Sequence, residues 1–167
     1  MALTNLVGTI TSSFGLTLDK TNTALSNSKL SLDKDYSIAY TYGSADNKAS
    51  MCYSKKHTIA ASATLTLDLD GSSMEDPYGD TLDFNEIKAF RIYLVSENNG
   101  ASDVSVAGDW VTTIFGASTS YPLVAGSIWQ HIDSQGLTVT ATTGDVIAIT
   151  NNDATNAASV VVDIIGN

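Results

Sequence analysis

Residues 63–70, ATLTLDLD, decide how the chain folds. Leu65, Leu67 and Leu69 fall on one side of an extended backbone, and Thr64, Thr66, Asp68 and Asp70 on the other. That period of two describes a strand with one buried and one wet face. A helix would scatter the three leucines around its circumference. Working outward, residues 87–96 are apolar on both faces and read as a central strand. Residues 103–107, 110–115, 127–132, 137–142, 146–151 and 158–165 continue the series. Turn signals separate these runs: Asn98-Asn99-Gly100, Gly108-Asp109, Ala125-Gly126, Ser134-Gln135-Gly136, Thr143-Gly144-Asp145 and Asn151-Asn152-Asp153. Many short strands at such spacing predict an all-β sandwich, jelly roll or barrel. The pair 137–142 and 146–151, joined through Thr143-Gly144-Asp145, is the best hairpin candidate. No segment makes a convincing amphipathic helix. Residues 83–88 offer one turn at most, and the acidic stretch 72–83, with Pro77, reads as a surface loop.

The first 56 residues have a different texture. Residues 9–18 and 36–42 are weaker strand candidates, and the rest is polar and low in hydrophobic density. Two readings fit: an extended arm that gains order against a neighbour, or an ordinary first pair of strands in the same sandwich. The chain therefore divides into an N-terminal arm or weakly ordered strands, 1–56, and a β-sandwich domain, 57–167.

A chain of 167 residues buries roughly 70% of the surface its unfolded form exposes, so it needs neither disulfide nor metal to fold. Only 16% of residues are charged, against about 25% in ordinary globular chains. Ser, Thr and Asn fill the gap, as suits the surface of a pleated sheet. The net charge is −10, and all 8 basic residues lie between Lys20 and Arg91. Residues 92–167 carry only acids: Glu97, Asp103, Asp109, Asp133, Asp145, Asp153 and Asp163. Such a half cannot displace counterions from a phosphate backbone, which argues against a nucleic-acid partner. The asymmetry serves solubility or steers a partner. Cys52 is the only cysteine, so no intrachain disulfide forms, in keeping with folding in a reducing cytoplasm. Residues 1–10 lack the charged and apolar regions of a signal peptide. No run approaches the ~18 apolar residues of a membrane helix, and no membrane partner is expected.

Residues able to do chemistry are sparse and scattered. His57 and His131 have no second ligand at metal-binding spacing. No serine sits in a Gly-x-Ser-x-Gly elbow, and Cys52 lacks the signatures of thiol enzymes. The acidic set Asp68, Asp70, Glu75, Asp76, Asp80 and Asp83 holds a fragment of a calcium loop, Asp68-Leu69-Asp70-Gly71. It has neither the third alternating Asp nor a closing Glu. The expectation is a protein without catalytic residues, cofactor or metal. Aromatic residues remain. Trp110, Phe115, Tyr121 and Trp129 cluster in the second half, where they serve as core packing or as anchors for a ligand or partner. Phe115 and Trp129 read as core, and Trp110, beside Gly108-Asp109, as a loop or rim residue. The candidate contact residues are Trp110, Tyr121, Tyr36, Tyr40, Tyr42 and Tyr78.

The order of segments carries a resemblance. Residues 45–61 (ADNKASMCYSKKHTIAA) feed into 62–71 (SATLTLDLDG) and then 78–96 (YGDTLDFNEIKAFRIYLVS). Val124-Ala125-Gly126 precedes an apolar strand, 136–145 reads GLTVTATTGD, and the chain closes through Ile164-Ile165-Gly166. This arrangement resembles a family of small tailed-bacteriophage virion proteins known as head decoration or cement proteins. It spans roughly residues 45–167. Val160-Val161-Val162-Asp163 stands where such proteins often carry a Tyr-Asp pair, and residues 1–44 match no part of the pattern. The resemblance implies a jelly-roll sandwich on the capsid surface of a virion, made in the bacterial host cytoplasm. It also implies the major capsid protein as partner and self-association as a dimer or trimer. A different class of function is a virion-exposed adhesin or β-sandwich module that binds host glycans through Trp110 and Tyr121.

Overall fold

The structure, a computed structural model, describes residues 6–20, 28–71, 73–95, 103–117 and 120–167. The first strands are β1 (Gly8–Lys20), β2 (Ser28–Tyr42), the two-residue β3 (Lys48–Ala49) and β4 (Met51–Ile59). β5 (Thr64–Asp68), β6 (Glu86–Leu94) and β7 (Val104–Ala107) follow. A short helix, α1 (Asp109–Phe115), precedes β8 (Tyr121–Leu123), β9 (Ile128–Thr138), β10 (Val146–Asn151) and β11 (Ala158–Gly166).

Eight of these strands form two four-stranded sheets, ordered β5-β10-β7-β8 and β4-β11-β6-β9. The antiparallel pairs are nested: β4 with β11, β5 with β10, β6 with β9 and β7 with β8. A long hairpin rolled over on itself gives this pairing, and it is the jelly-roll topology. The sequence expectation of an all-β, jelly-roll-like sandwich with an extended N-terminal segment holds.

The leucine ribbon that decided the fold behaves as its period demands. Thr64 and Thr66 are exposed, Leu67 and Leu69 are buried, and Leu65 is half-buried against the core. From the facing sheet β11 buries Ala158, Val160, Val162 and Ile164, alternating with half-buried neighbours. Phe90, Ile92 and Leu94 of β6 complete the middle of one continuous core. β6 is central, as its sequence predicts. Its apolarity on both faces has two causes. The register with β9 shifts between Ile87 and Ala89, and Ala89 lies at the floor of a cleft beneath Ile10 and Thr11 of β1.

Three expectations fail. The turn expected at Ser134-Gln135-Gly136 lies inside β9, which runs through it from Ile128 to Thr138 with a register shift against β6. Residues 110–115 form α1 and not a strand. The run WVTTIF is rich in β-branched residues, but Trp110, Val111, Ile114 and Phe115 pack against the core, a helical spacing that tertiary burial selects over local propensity. The expected hairpin of 137–142 with 146–151 is also absent. Its first half ends β9 in one sheet, and β10 belongs to the other. Among the described residues the joining segment holds only an isolated bridge, Thr140 to Gly144. The segment is the corner where the chain changes sheets. β4 begins at Met51, inside the segment read as an arm or weakly ordered strands, and forms an outer strand of the sandwich.

The N-terminal strands stay out of both sandwich sheets. β1 and β2 pair antiparallel from Gly8–Tyr40 to Lys20–Ser28, and β3 adds to the end of β2 in parallel. β2 has 15 residues, so it spans about 50 Å if straight, at roughly 3.3 Å per residue. Sandwich strands are shorter, between the 3 residues of β8 and the 11 of β9. The ribbon touches the body at its base, through a small second core of Ile38, Tyr40 and Ala49 with Leu6, Ile10, Ile132 and Ile165.

Candidate functional site

The most distinctive surface is this ribbon and the sheet face beneath its base. Outward positions of β11, β6 and β9 supply Ile165, Ala89 and Ile132, which line up across the sheet by register. Tyr40 locks the ribbon to that row. Its hydroxyl donates to the carbonyl of Asp133 at 2.8 Å and lies 3.2 Å from the carbonyl of Lys88. Burial, then the negative charge of Asp133 and the neighbouring Tyr36, pushes the Tyr40 phenol up to about 12. Tyr40 is thus a neutral donor in a buried anchor. A cleft of about 220 Å³ runs between ribbon and sheet, lined in part by Ile10, Thr11, Arg91, Gln130 and Asp163. Arg91 and Asp163 close on each other across its floor at 2.5 Å, and Ser54 donates to the same carboxylate at 2.7 Å.

The other candidate aromatics divide sharply. Trp110 is 0% exposed and donates its indole N–H to the Thr138 carbonyl at 3.1 Å. It is a core residue and not a rim residue: α1 turns it inward, edge-on to Phe90 at 5.6 Å. Tyr121 is half-buried and stacks on Trp129 at 4.2 Å, so one ring face is already occupied. Phe115 and Trp129 join the same aromatic cluster, as their assignment to the core requires. Tyr36, Tyr42 and Tyr78 are exposed, at 58%, 45% and 81%. Tyr36 lies on the ribbon, Tyr42 at its foot, and Tyr78 in the acidic loop. The structure does not gather the six tyrosine and tryptophan candidates into one site. An open hollow of about 400 Å³ joins Tyr42 to the loop, with Met51, Asp76, Asp80 and Leu82 on its walls.

The ionisable groups mostly hold the chain in place. Asp76 accepts the backbone N–H groups of Tyr78 and Asp80 and fixes the acidic loop. Asp109 accepts those of Asp145 and Val146, tying the start of α1 to β10. Asp153 accepts from Thr155 and Asn156, and those hydrogen bonds hold its carboxyl far below the usual range. Asp70 is held above that range, chiefly by its hydrogen bond with Asp83 and then by desolvation and the Asp83 charge. Burial works against the charge on Asp133, yet the N–H groups of Gln135 and Gly136 and the nearby His131 keep its carboxyl low. Burial, then Lys55, lowers His57, whose Nε2 is 2.7 Å from the Tyr53 hydroxyl. Burial pushes the Cys52 thiol up, with help from Asp163 and Asp76, which disfavours the thiolate. Among the described residues no group of three or more His, Cys, Asp or Glu side chains could hold a metal ion. No helix among them is long and apolar enough to cross a membrane.

Sequence reasoning missed two features. Lys88 is 1% exposed, bonded to Glu86 at 2.6 Å and to the Gln135 carbonyl. Asn151 is 0% exposed and donates to the carbonyls of Ile59, Ala60 and Asn156. Neither had a sequence signal, because each depends on a bulge or turn that only the pairing creates.

No family model matches this chain, and no curated protein matches it.

Proposed function

We propose that this protein is a bacteriophage capsid decoration, or cement, protein that binds the outside of the head shell and bridges major capsid subunits. The observation that supports this is a jelly-roll body with a long two-stranded ribbon that stays out of both of its sheets. A cement protein needs a rigid body, a reaching contact element and many copies, and it needs no active site. The segment resemblance over residues 45–167 supports the same reading. Exposed Tyr36 and Tyr42 on the ribbon and Tyr78 in the acidic loop supply amphipathic contact area of the sort that anchors interfaces. The exposed Ser and Thr of the ribbon suit a wet interface with bridging waters.

The glycan-binding alternative loses its platform. Trp110 presents no ring face to solvent, and Tyr121 already stacks on Trp129.

Binding only the assembled shell stabilises it by mass action. Virions that lack the protein are expected to lose DNA or break at lower temperature, and adding the purified chain back should restore them. Virions that withstand heat and osmotic shock equally well without it would rule the cementing role out.

A further inference from the structure

Two irregularities meet around Lys88. β6 slips against β9 between Ile87 and Ala89, and β11 slips against β6 between Ile165 and Gly166. Bulges of this kind re-aim side chains. Here the Lys88 side chain is buried, and its amine donates to Glu86 and to the Gln135 carbonyl. Gly136 makes the close approach possible. Its φ is 106°, and a Cβ there would lie 2.9 Å from the Lys88 Nζ.

Asn167, directly after β11, is clamped onto the start of β6. Its backbone N–H donates to the Glu86 carbonyl at 3.0 Å, and its carbonyl accepts from Asn85 at 2.6 Å and from Glu86 at 3.1 Å. The residue is buried, and its carboxamide nitrogen donates to Glu86 Oε2 at 3.3 Å and to the Ser44 carbonyl at 3.4 Å. The Lys88 amine donates to the same Glu86 oxygen at 2.6 Å. One carboxylate oxygen thus holds a primary amine and a primary carboxamide, their nitrogens no more than about 6 Å apart.

An amine, a carboxamide and a carboxylate in contact with both are the parts of an amide exchange. Fixed neighbours in a folded chain supply the effective concentration that so slow a reaction needs. The hydrogen bond from Lys88, opposed by burial and helped by Asn167, holds the Glu86 carboxyl below its usual range, so the group is ionised and able to take a proton. Glu86 is itself only half-buried, which leaves a small product a way out.

We propose that Lys88 and Asn167 join through their side chains in an amide bond, formed once in each folded chain with Glu86 as the proton carrier. Glu86 takes a proton from the Lys88 ammonium, and the freed Nζ attacks Cγ of Asn167. The Nζ–Cγ bond forms, the Cγ–Nδ2 bond breaks, and the nitrogen leaves as ammonium. Two protons leave Nζ and two arrive on Nδ2, so Glu86 ends ionised as it began. Nothing is oxidised or reduced. The link ties β6 to the end of β11 within one sheet. It concerns the chain's own side chains and does not rest on the cement role.

Mass spectrometry of the purified full chain, denatured and then digested with trypsin, tests it. Lys88 and Arg91 are the only cleavage sites after Lys56. With the bond in place, residues 57–91 stay covalently attached to 92–167, in a species lighter than the two pieces by one ammonia. Without it, 57–88, 89–91 and 92–167 separate. The natural chain should give the joined species. Lys88→Met should give none, and Glu86→Gln, which keeps the shape but accepts no proton, should form it about a hundredfold more slowly or not at all. A natural chain that yields only separate pieces at full mass overturns the proposal. So does loss of ammonia without a joined species, or a Glu86→Gln chain that joins as fast as the natural one. Circular dichroism melting reports folding of each variant. Should Lys88→Met fail to fold, the digest of the natural chain decides alone.

Discussion

Trp110 and Tyr40 show how far a residue's neighbours in sequence mislead about its neighbours in space. Trp110 follows Gly108-Asp109, which reads as a turn, and so the indole read as a rim residue. Gly108 does have a φ of 120°, and a Cβ there would lie 2.2 Å from the Val146 carbonyl oxygen. It is the entry to α1, and the helix turns Trp110 into the core. Truncating a buried tryptophan costs roughly 3–5 kcal/mol. Trp110→Ala should lose about that much in urea denaturation; a loss below ~1 kcal/mol would return Trp110 to the surface. Tyr40 was read as an interface or ligand contact, whereas in the structure it is buried within the chain, at the base of the ribbon. Its phenol sits at about 12 rather than the ordinary 10.0, so the folded state keeps a proton that the unfolded state releases. The stability this supplies is complete below pH 10 and is lost as pH rises from about 10 to about 12. Denaturant unfolding across that window should show a steeper fall for the natural chain than for Tyr40→Phe, which cannot ionise. Parallel curves would mean that Tyr40 is not buried in the anchor.

Among the elements, legibility followed period. The leucines of β5, the both-sided apolarity of β6 and the alternation of β11 were readable because each strand meets the same kind of neighbour along its whole length. Strands at 127–132 and 146–151 were readable too, within β9 and as β10, but the pairing of these two elements was not. Thr143-Gly144-Asp145 looks like a hairpin turn, but strand direction and sheet membership are decided by pairing with β6 and β5, far away in sequence. The ribbon was half legible: its two strands were expected at 9–18 and 36–42, while their extension and independence of the sandwich needed the register. Because the ribbon shares no sheet with the sandwich, the sandwich should fold without its outer part. Replacing residues 12–36 by a tight turn should leave the main thermal transition within a few degrees of the natural chain's. Collapse of that transition would show that the ribbon is part of the sandwich's core.

At the scale of the whole molecule, the nested antiparallel pairs leave a closed body whose interior is filled by aliphatic and aromatic side chains. Its buried acids and amides are used on turns and corners, as Asp76 and Asn151 illustrate. Its described outside presents an acidic body, the exposed Tyr36, Tyr42 and Tyr78, and a ribbon whose charges cancel. On the cement reading proposed above, the protein acts by occupying the shell surface in many copies, and its effect scales with how completely that surface is filled. The direct measurement is co-sedimentation of the purified full chain with phage shells that lack it. The cement account predicts saturation at a fixed, symmetry-related ratio to the major capsid protein, with the shell's melting temperature rising as sites fill. A chain that stays in the supernatant, or that binds without a saturating ratio and leaves shell melting unmoved, would contradict it.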